Sequence, residues 1–425
     1  MERAFYPADI LLPKQGIDMS RWSVVACDQF TSEPEYWEQV EQIVGDAPST
    51  YRMILPEVYL EEEDVEESLI TIGKAMEEYL SKGLFDEYKD AMIYVERTDS
   101  TGKMRAGIVG CIDLEQYDYR KGSTSLVRAT EATVVERIPP RIKVREKAQI
   151  ELPHIMILID DKEKTVIEPC ESWKEDCRLV YDFDLMSGGG HLKGYLLGEK
   201  EQENILTAID QLAVVEQKQM QQINDDSKKE NPSVLLFAMG DGNHSLATAK
   251  EFYERLKAEH PGEDLSHHPA RYALAEIVNL HSPALEFEAI HRIVTEVDAD
   301  DLMEKMTESL GLEEEGDGQS FYVVRHGVRK KVVITNSSSK LTVGSLQNFL
   351  DDYQKTHPVK MDYIHGDKTL ESLTMQENSI GFILPDMAKE ELFPTVIYDG
   401  ALPRKTFSMG HAEDKRYYTE CRKIK

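Results

Sequence analysis

The sequence predicts a mixed α/β protein, and two observations carry that reading. Short apolar runs rich in Val, Ile and Tyr, separated by turn residues, alternate with longer stretches whose apolar residues recur every three or four positions. The chain of 425 residues is also too long for one small core, so mixed α+β sheets and helices are expected to build a large, multi-lobed body. No fixed-period repeat is present, which argues against a solenoid.

Near the N-terminus, WSVVACDQFTSEPEYW places Asp28 after a short apolar strand, with Thr31 or Ser32 as the cap of the next helix. LEEEDVEESLITIGKAMEEYLSKGLF reads as a long helix whose packed face is Val65, Leu69, Ile72, Met76 and Leu80. AMIYVER, RAGIVGCIDL, HIMILID, KTVIEP and RLVYDFD read as strands of one sheet. EQENILTAIDQLAVVEQKQMQQI is a second helical region, leading into the polar stretch NDDSKKENP, expected as a surface loop. Beyond it, VLLFAM is expected as a buried strand and RYALAEIVNL as a helix. SFYVVRH, KKVVIT, SIGFIL and TVIY then supply strands to a C-terminal segment that also holds helices. These signals divide the chain into an N-terminal α/β region over 1–222, a strand-loop-helix region over 223–300 and a C-terminal α/β region over 301–425.

Charge narrows the function. With 49 Lys plus Arg against 79 Asp plus Glu, the net charge is −30, which repels phosphate backbones and anionic membrane surfaces. Neither nucleic acid nor a membrane is expected as a partner. No apolar run approaches the roughly 18 residues that span a bilayer, and MERAFYPADILLPK lacks the pattern of a secretory leader, so a cytoplasmic location is expected. Five cysteines without paired C-x-x-C spacing read as free thiols, mostly buried.

FAMGDGNHSLATAKEF, from Phe237 to Phe252, is the stretch most suggestive of chemistry. An apolar run too short for a surface helix precedes it. After it Leu246, Ala249, Tyr253 and Leu256 mark a helix starting near Asn243 to Ser245. Gly240 and Gly242 permit unusual backbone angles and close approach of a ligand, while Asn243 or Ser245 can cap the helix. Backbone N–H groups at such a helix start, with the positive end of its dipole, attract an anion, and phosphate is the commonest biological one. The loop matches neither the P-loop nor the dinucleotide fingerprint. Asp241 suits a Mg²⁺ ion or a hydroxyl, and His244 suits donation to a phosphoryl oxygen or acceptance of a proton. An ordinary Asp-Gly turn with a capping Asn is the other reading.

The chain resembles the domain of unknown function 1015 family in this element, Asp241-Gly242-Asn243-His244. The likeness extends to VVACDQFTSEPEYW, VRATEATVVERIPPR, FDLMSGGGHLKGY, RYALAEIVNLHSPALEFEAIHRIV and LPRKTFSMG. More distantly it resembles the ParB/sulfiredoxin superfamily and its free serine kinases, whose loop at a helix start binds nucleotide phosphates. That resemblance implies a ParB/sulfiredoxin-like nucleotide-binding core. The pattern departs here: Asn243 stands in place of a His and Ser245 in place of an Arg, which removes a bidentate phosphate clamp.

Other candidates lie far apart in sequence. VRATEATVVERIPPR offers Arg128, Arg137 and Arg141 for an anionic ligand and Glu131 as a general base, or else a salt-bridged surface segment. SGGGHLKGY, with His191, is either a ligand-wrapping loop or a plain hairpin turn. His291 reads as a core histidine. In LPRKTFSMGH, Lys405 could supply the charge missing at Ser245, with His411 near it, and EDKRYYTECRK reads equally as a solvent-facing tail.

The reading that results is a phosphotransferase. It uses ATP or ADP and Mg²⁺ to phosphorylate the hydroxyl of a small molecule, with L-serine the acceptor that the free serine kinases suggest. Asp241, His244 and Glu131 would be catalytic. Gly240, Gly242, Asn243, Ser245, Arg128, Arg141, His191 and Lys405 would bind the nucleotide, and Asp28 and Asp241 the metal. A homo-oligomer is compatible with this reading. The rival is a non-catalytic nucleotide or metabolite sensor using the same loop.

Overall fold

Strands that are apolar on both faces need cover on both faces, and the chain provides it with helices and loops. The structure, a computed structural model, describes residues 2–31, 33–60, 65–131, 138–226, 233–410 and 412–425. It forms two units, Met1–Ala129 with Thr133–Leu285 and His411–Lys425, and Thr130–Ala132 with Glu286–Gly410. The division falls inside the 223–300 span, and the last residues return to the first unit.

In the first unit ten described strands form one mixed sheet: β1 (Phe5–Tyr6), β2 (Ile93–Thr98), β3 (Met104–Asp113), β4 (Tyr117–Asp118), β5 (Val127–Arg128), β6 (Met156–Ile159), β7 (Arg178–Asp184), β8 (His191–Leu196), β9 (Phe237–Asp241) and β10 (Tyr272–Asn279). Their order is β7-β8-β2-β3-β10-β6-β9-β5-β4, with β1 pairing to β3. Parallel pairs (β6 with β10, β9 with β5, β5 with β4) sit among antiparallel ones. Helices α1 (Val65–Ser81), α2 (Ile138–Lys147), α3 (Glu199–Asp226) and α4 (Asn243–Glu259) belong to this unit.

Side chains alternate across the sheet, as a period of two requires. Ile108 and Ile112 of β3 join Ile157, Phe237 and Met239 in a core with Ile205 and Ile209 of α3 and Leu246 and Phe252 of α4. Val109 and Cys111, one residue out of step, join Leu274, Trp37, Val40, Tyr417 and Tyr418 on the other face. Leu69, Ile72 and Met76 of α1 form the expected buried stripe.

Five expectations are corrected. RYALAEIVNL is the central strand β10, because burial of both faces erases the alternation that would have marked it. KTVIEP is a turn, pinned by Asp161 Oδ2, which accepts from the Thr165 N–H at 2.6 Å and the Val166 N–H at 2.9 Å. TVIY lies in the helix Lys389–Asp399. Thr31 does not cap the helix Pro34–Val44, whose cap position is Glu33 and carries no side-chain cap bond, and Ser32 lies outside the described residues. In NDDSKKENP, α3 continues to Asp226, and residues 227–232 lie outside the described residues. All five cysteines are free thiols. Among the described residues no helix is long and apolar enough to cross a membrane.

The second unit holds β11 (Phe287–Thr295), β12 (Leu312–Glu313), β13 (Gln319–Arg325), β14 (Val328–Ile334), β15 (Lys360–His365), β16 (Ser379–Ile383) and β17 (Phe407–Met409). They form a seven-stranded sheet in the order β12-β14-β13-β16-β11-β15, with β17 pairing to β11. Its helices include Ala299–Leu310 and Thr342–Thr356. The chain is thus mixed α/β in both units.

Candidate functional site

Strand, glycine turn and helix follow one another at residues 237–259 as the sequence implies. Phe237, Ala238 and Met239 are fully buried, which fixes β9 and so fixes where its C-terminal end delivers the chain. Gly242 then turns into α4 with φ 79° and ψ 26°, in the left-handed region that favours glycine. A Cβ there would lie 3.0 Å from the Ile155 Cα. Gly240 has a different reason: a Cβ would meet the Leu158 Cγ and the Met156 carbonyl oxygen at 3.1 Å, so glycine lets β6 lie close. Asp241 Oδ1 accepts from the Gly242 N–H at 2.8 Å. Neither Asn243 nor Ser245 caps the helix, because Gly242 occupies the cap position and makes no side-chain bond. The helix itself offers no acceptor to the N–H groups of its first turn.

Ser245 turns instead toward a histidine that the sequence reading passed over. His154 Nε2 lies 3.0 Å from Ser245 Oγ and 3.8 Å from Asp28 Oδ2, and its Nδ1 lies 2.9 Å from the Tyr418 hydroxyl. That hydroxyl accepts from the Cys27 N–H at 3.1 Å and lies 3.1 Å from Cys27 Sγ. Tyr418 reaches this point because Tyr417–Tyr418 pairs antiparallel with Val24–Val25, which sets the C-terminal strand beside Cys27 and Asp28. The stretch read as a possible solvent-facing tail is interior: Arg416, Tyr417, Tyr418, Thr419, Glu420 and Cys421 are all buried.

Lys415, on the same stretch, places its Nζ 3.5 Å from Asp241 Oδ2. Burial works to raise the Asp28 carboxyl, but His154, Gln29 and Lys415 outweigh it and hold it below the ordinary carboxylate value. Burial, helped by the Asp28 charge, pushes the Cys27 thiol up to about 11, which makes it a poor nucleophile at neutral pH. Beside these groups opens a cavity of about 160 Å³. Ser245, Thr248, His154, Tyr418 and Cys27 line part of it with Glu57, Arg141, Arg145 and Glu151, and much of the rest is aliphatic, including Leu55, Val144, Ala148 and Leu152.

The remaining candidates are distributed as follows. Arg141 borders the cavity and is paired with Glu57. Arg128 is buried, donating to the carbonyls of Ser125 (2.8 Å), Ser233 (3.0 Å) and Val234 (2.9 Å), and burial lowers it to about 10. Its guanidinium is committed to main chain. His191 is at the start of β8, five strands from β9, or roughly 24 Å at about 4.8 Å per strand. There it is held between Asp184 (2.6 Å) and Asp182 (2.7 Å). Its glycines serve packing: a Cβ on Gly190 would lie 2.1 Å from the Thr98 carbonyl oxygen and one on Gly189 2.3 Å from the Tyr417 hydroxyl, so SGGGHLKGY is a tight hairpin turn.

Glu131 and Lys405 belong to the second unit, where they lie together. The Thr406 N–H donates to Glu131 Oε1 at 3.4 Å, and burial raises the Glu131 carboxyl against the pull of the Lys405 and Thr406 N–H groups and of Arg292 and Lys405. The Lys405 Nζ sits 5.5 Å from the centre of the Tyr363 ring. His291, buried as expected, bonds Asp367 at 2.8 Å. Arg137 and His411 lie outside the described residues. His154, Lys415, Tyr418 and Cys27 were missed. For His154 a signal existed, since it borders the apolar run HIMILID at its N-terminal end, as Asp28 borders a short apolar strand at its C-terminal end.

The family described as protein of unknown function (DUF1015) matches residues 11–363, more than half of the chain. The chain belongs to that family. No curated protein matches its sequence. Among solved structures, a mutant free serine kinase in complex with AMP is similar over 73% of this chain and 90% of its own, at 12% identity and a TM-score of 0.38. A conserved hypothetical protein from Pyrococcus furiosus is similar over 71% and 90%, at 12% identity and a TM-score of 0.34. C-terminally truncated SbnI from Staphylococcus aureus is similar over 71% and 82%, at 7% identity and a TM-score of 0.37. Likeness of this degree assigns no residue of this DUF1015 protein a role.

Proposed function

We propose that this site binds a nucleoside di- or triphosphate and transfers a phosphoryl group to the hydroxyl of a small molecule. The observation that carries the reading is the placing of Lys415 against Asp241 at the first turn of α4. Helix-start N–H groups and an ammonium together form a seat for phosphate oxygens, and Lys415 supplies the cation that the replacement of Arg by Ser245 removes.

Among the described residues no group of three or more His, Cys, Asp or Glu is disposed to hold a metal. Mg²⁺ in phosphoryl-transfer sites takes one or two carboxylates and completes its shell with phosphate oxygens and water, so Asp28 and Asp241, both interacting with Lys415, fit that modest demand. Asp28 and Asp241 would hold the ion, and the chemistry supplied there would be neutralisation of phosphate charge. A depressed Asp28 stays ionised near neutral pH, which suits a ligand better than a base. The base on this reading is His154, whose Nε2 already lies at hydrogen-bond distance from a hydroxyl, with Tyr418 holding the opposite side of the ring. Loop, lysine and imidazole then position donor and acceptor, which is most of what phosphoryl transfer asks of a protein.

The test is to incubate the protein with Mg²⁺, ATP or ADP, and a panel of hydroxyl compounds that includes L-serine, following nucleotide conversion by phosphorus NMR. Acceptor-dependent conversion is expected. Lys415→Ala should weaken nucleotide binding by roughly tenfold, the value of one charge-assisted phosphate contact. Tight nucleotide binding without turnover would favour the sensor, and no binding at all would refute both.

A further inference from the structure

Resting on the phosphotransferase reading, we propose that the acceptor enters the cavity beside Ser245 and His154, and that it is an alcohol with an apolar body of about six to eight heavy atoms rather than a polar amino acid. Size is the first argument. The cavity holds about 160 Å³, close to the roughly 150 Å³ of an engineered apolar cavity that binds benzene.

Charge is the second. An amino acid brings an ammonium and a carboxylate, and a buried charge without a partner is strongly disfavoured. The charged side chains bordering the cavity are already matched to one another. Arg141 pairs with Glu57, Arg145 meets Glu151 at 2.7 Å, and Glu151 also accepts from Arg422 at 2.7 Å and from the Leu274 N–H at 2.8 Å. Thr248, the other polar residue there from α4, is turned inward and donates to the His244 carbonyl at 2.7 Å.

Chemistry is the third. A lone hydrogen-bonding pair in a largely aliphatic space whose charged side chains are already matched recognises one hydroxyl and little else. The Ser245 Oγ to His154 Nε2 bond of 3.0 Å supplies that pair. An entering hydroxyl would take the place of the Ser245 oxygen on Nε2. In the transfer its O–H proton passes to Nε2, its oxygen forms the bond to the terminal phosphorus, and the bond from that phosphorus to the bridging oxygen breaks, leaving the nucleotide one phosphate shorter.

Benzyl alcohol, hexan-1-ol, glycerol and L-serine, titrated into the full chain and followed by ligand-observed NMR and thermal shift, provide the test. Benzyl alcohol and hexan-1-ol should bind saturably and glycerol and L-serine should not. Ala148→Phe, which fills the cavity, and the milder Leu55→Phe should each weaken benzyl alcohol at least tenfold. Saturable binding of L-serine without benzyl alcohol, or benzyl alcohol binding that ignores both variants, overturns the assignment. Adding nucleotide separates the two claims. Phosphorylated L-serine with no alcohol binding removes the cavity assignment and leaves the kinase, whereas alcohol that binds but never accepts phosphate from either nucleotide removes the kinase and leaves the cavity as a ligand site.

Discussion

Replacing Gly242 by alanine tests the turn on which the site depends. A non-glycine residue in the left-handed region costs roughly 1 kcal/mol or somewhat more, and Gly242 sits there with φ 79°. The added Cβ also meets the Ile155 Cα at 3.0 Å, a backbone contact that cannot rotate away, and overpacking of that kind costs about 1–3 kcal/mol. Together the loss is about 2–4 kcal/mol, or roughly 4–8 °C in melting temperature at ~2 °C per kcal/mol for a unit of this size. Gly240→Ala is the control. It carries a close contact of 3.1 Å but no positive φ, so only one of the two costs applies. Urea denaturation of both variants should rank Gly242→Ala the less stable by about 1 kcal/mol. Because the same Cβ comes within 3.5 Å of the His154 ring, nucleotide affinity should fall with it. If the two variants are equally stable, or Gly242→Ala is neutral, the account of the turn is wrong.

Tyr418→Phe removes the partner of His154 Nδ1 and of the Cys27 N–H, and two buried groups left unsatisfied should cost about 2–4 kcal/mol in chemical denaturation, while Tyr322→Phe, on an exposed ring, should be neutral. With its thiol at about 11, Cys27 is about one part in a thousand thiolate at pH 8, so peptide mapping should show it alkylated by iodoacetamide on the order of 100-fold more slowly in the folded chain than in urea. The depressed Asp28 carboxyl adds stability that is complete above its unfolded value of about 3.9 and disappears as pH falls through the lower folded value. Asp28→Asn should therefore trail the parent protein at neutral pH and converge with it only at pH values below about 4, as melting temperatures across pH would reveal.

The strand-loop-helix at 237–259 was legible because its glycines, its short apolar strand and its period of three to four are all local features. The sheet's centre was not. β10 is buried on both faces, and a run such as RYALAEIVNL keeps no alternation to distinguish it from a helix. Arg128 was misleading for a related reason, since an arginine donating to three backbone carbonyls looks in sequence like one awaiting an anion. The partners of the loop were hidden by distance: Lys415 and Tyr418 lie in a stretch so rich in charge that it reads as solvated, and its pairings with Val24–Val25 and with Ile150–Glu151 make it interior. Lys405 was singled out in the basic stretch LPRKTFSMGH, whereas the lysine that meets Asp241 is Lys415, ten residues on, and sequence position does not distinguish the two.

The bond between the Cys27 N–H and the Tyr418 hydroxyl joins positions 391 residues apart. Closing so long a stretch is entropically slow, and a fold dominated by such pairings takes shape late. On the ribosome, the histidine at 154 and the serine at 245 are made well before the tyrosine that steadies the imidazole ring. A nascent chain halted at residue 410 would hold the helix start but neither the ammonium nor the phenol, and on the proposed phosphotransferase reading should neither retain nucleotide nor turn it over.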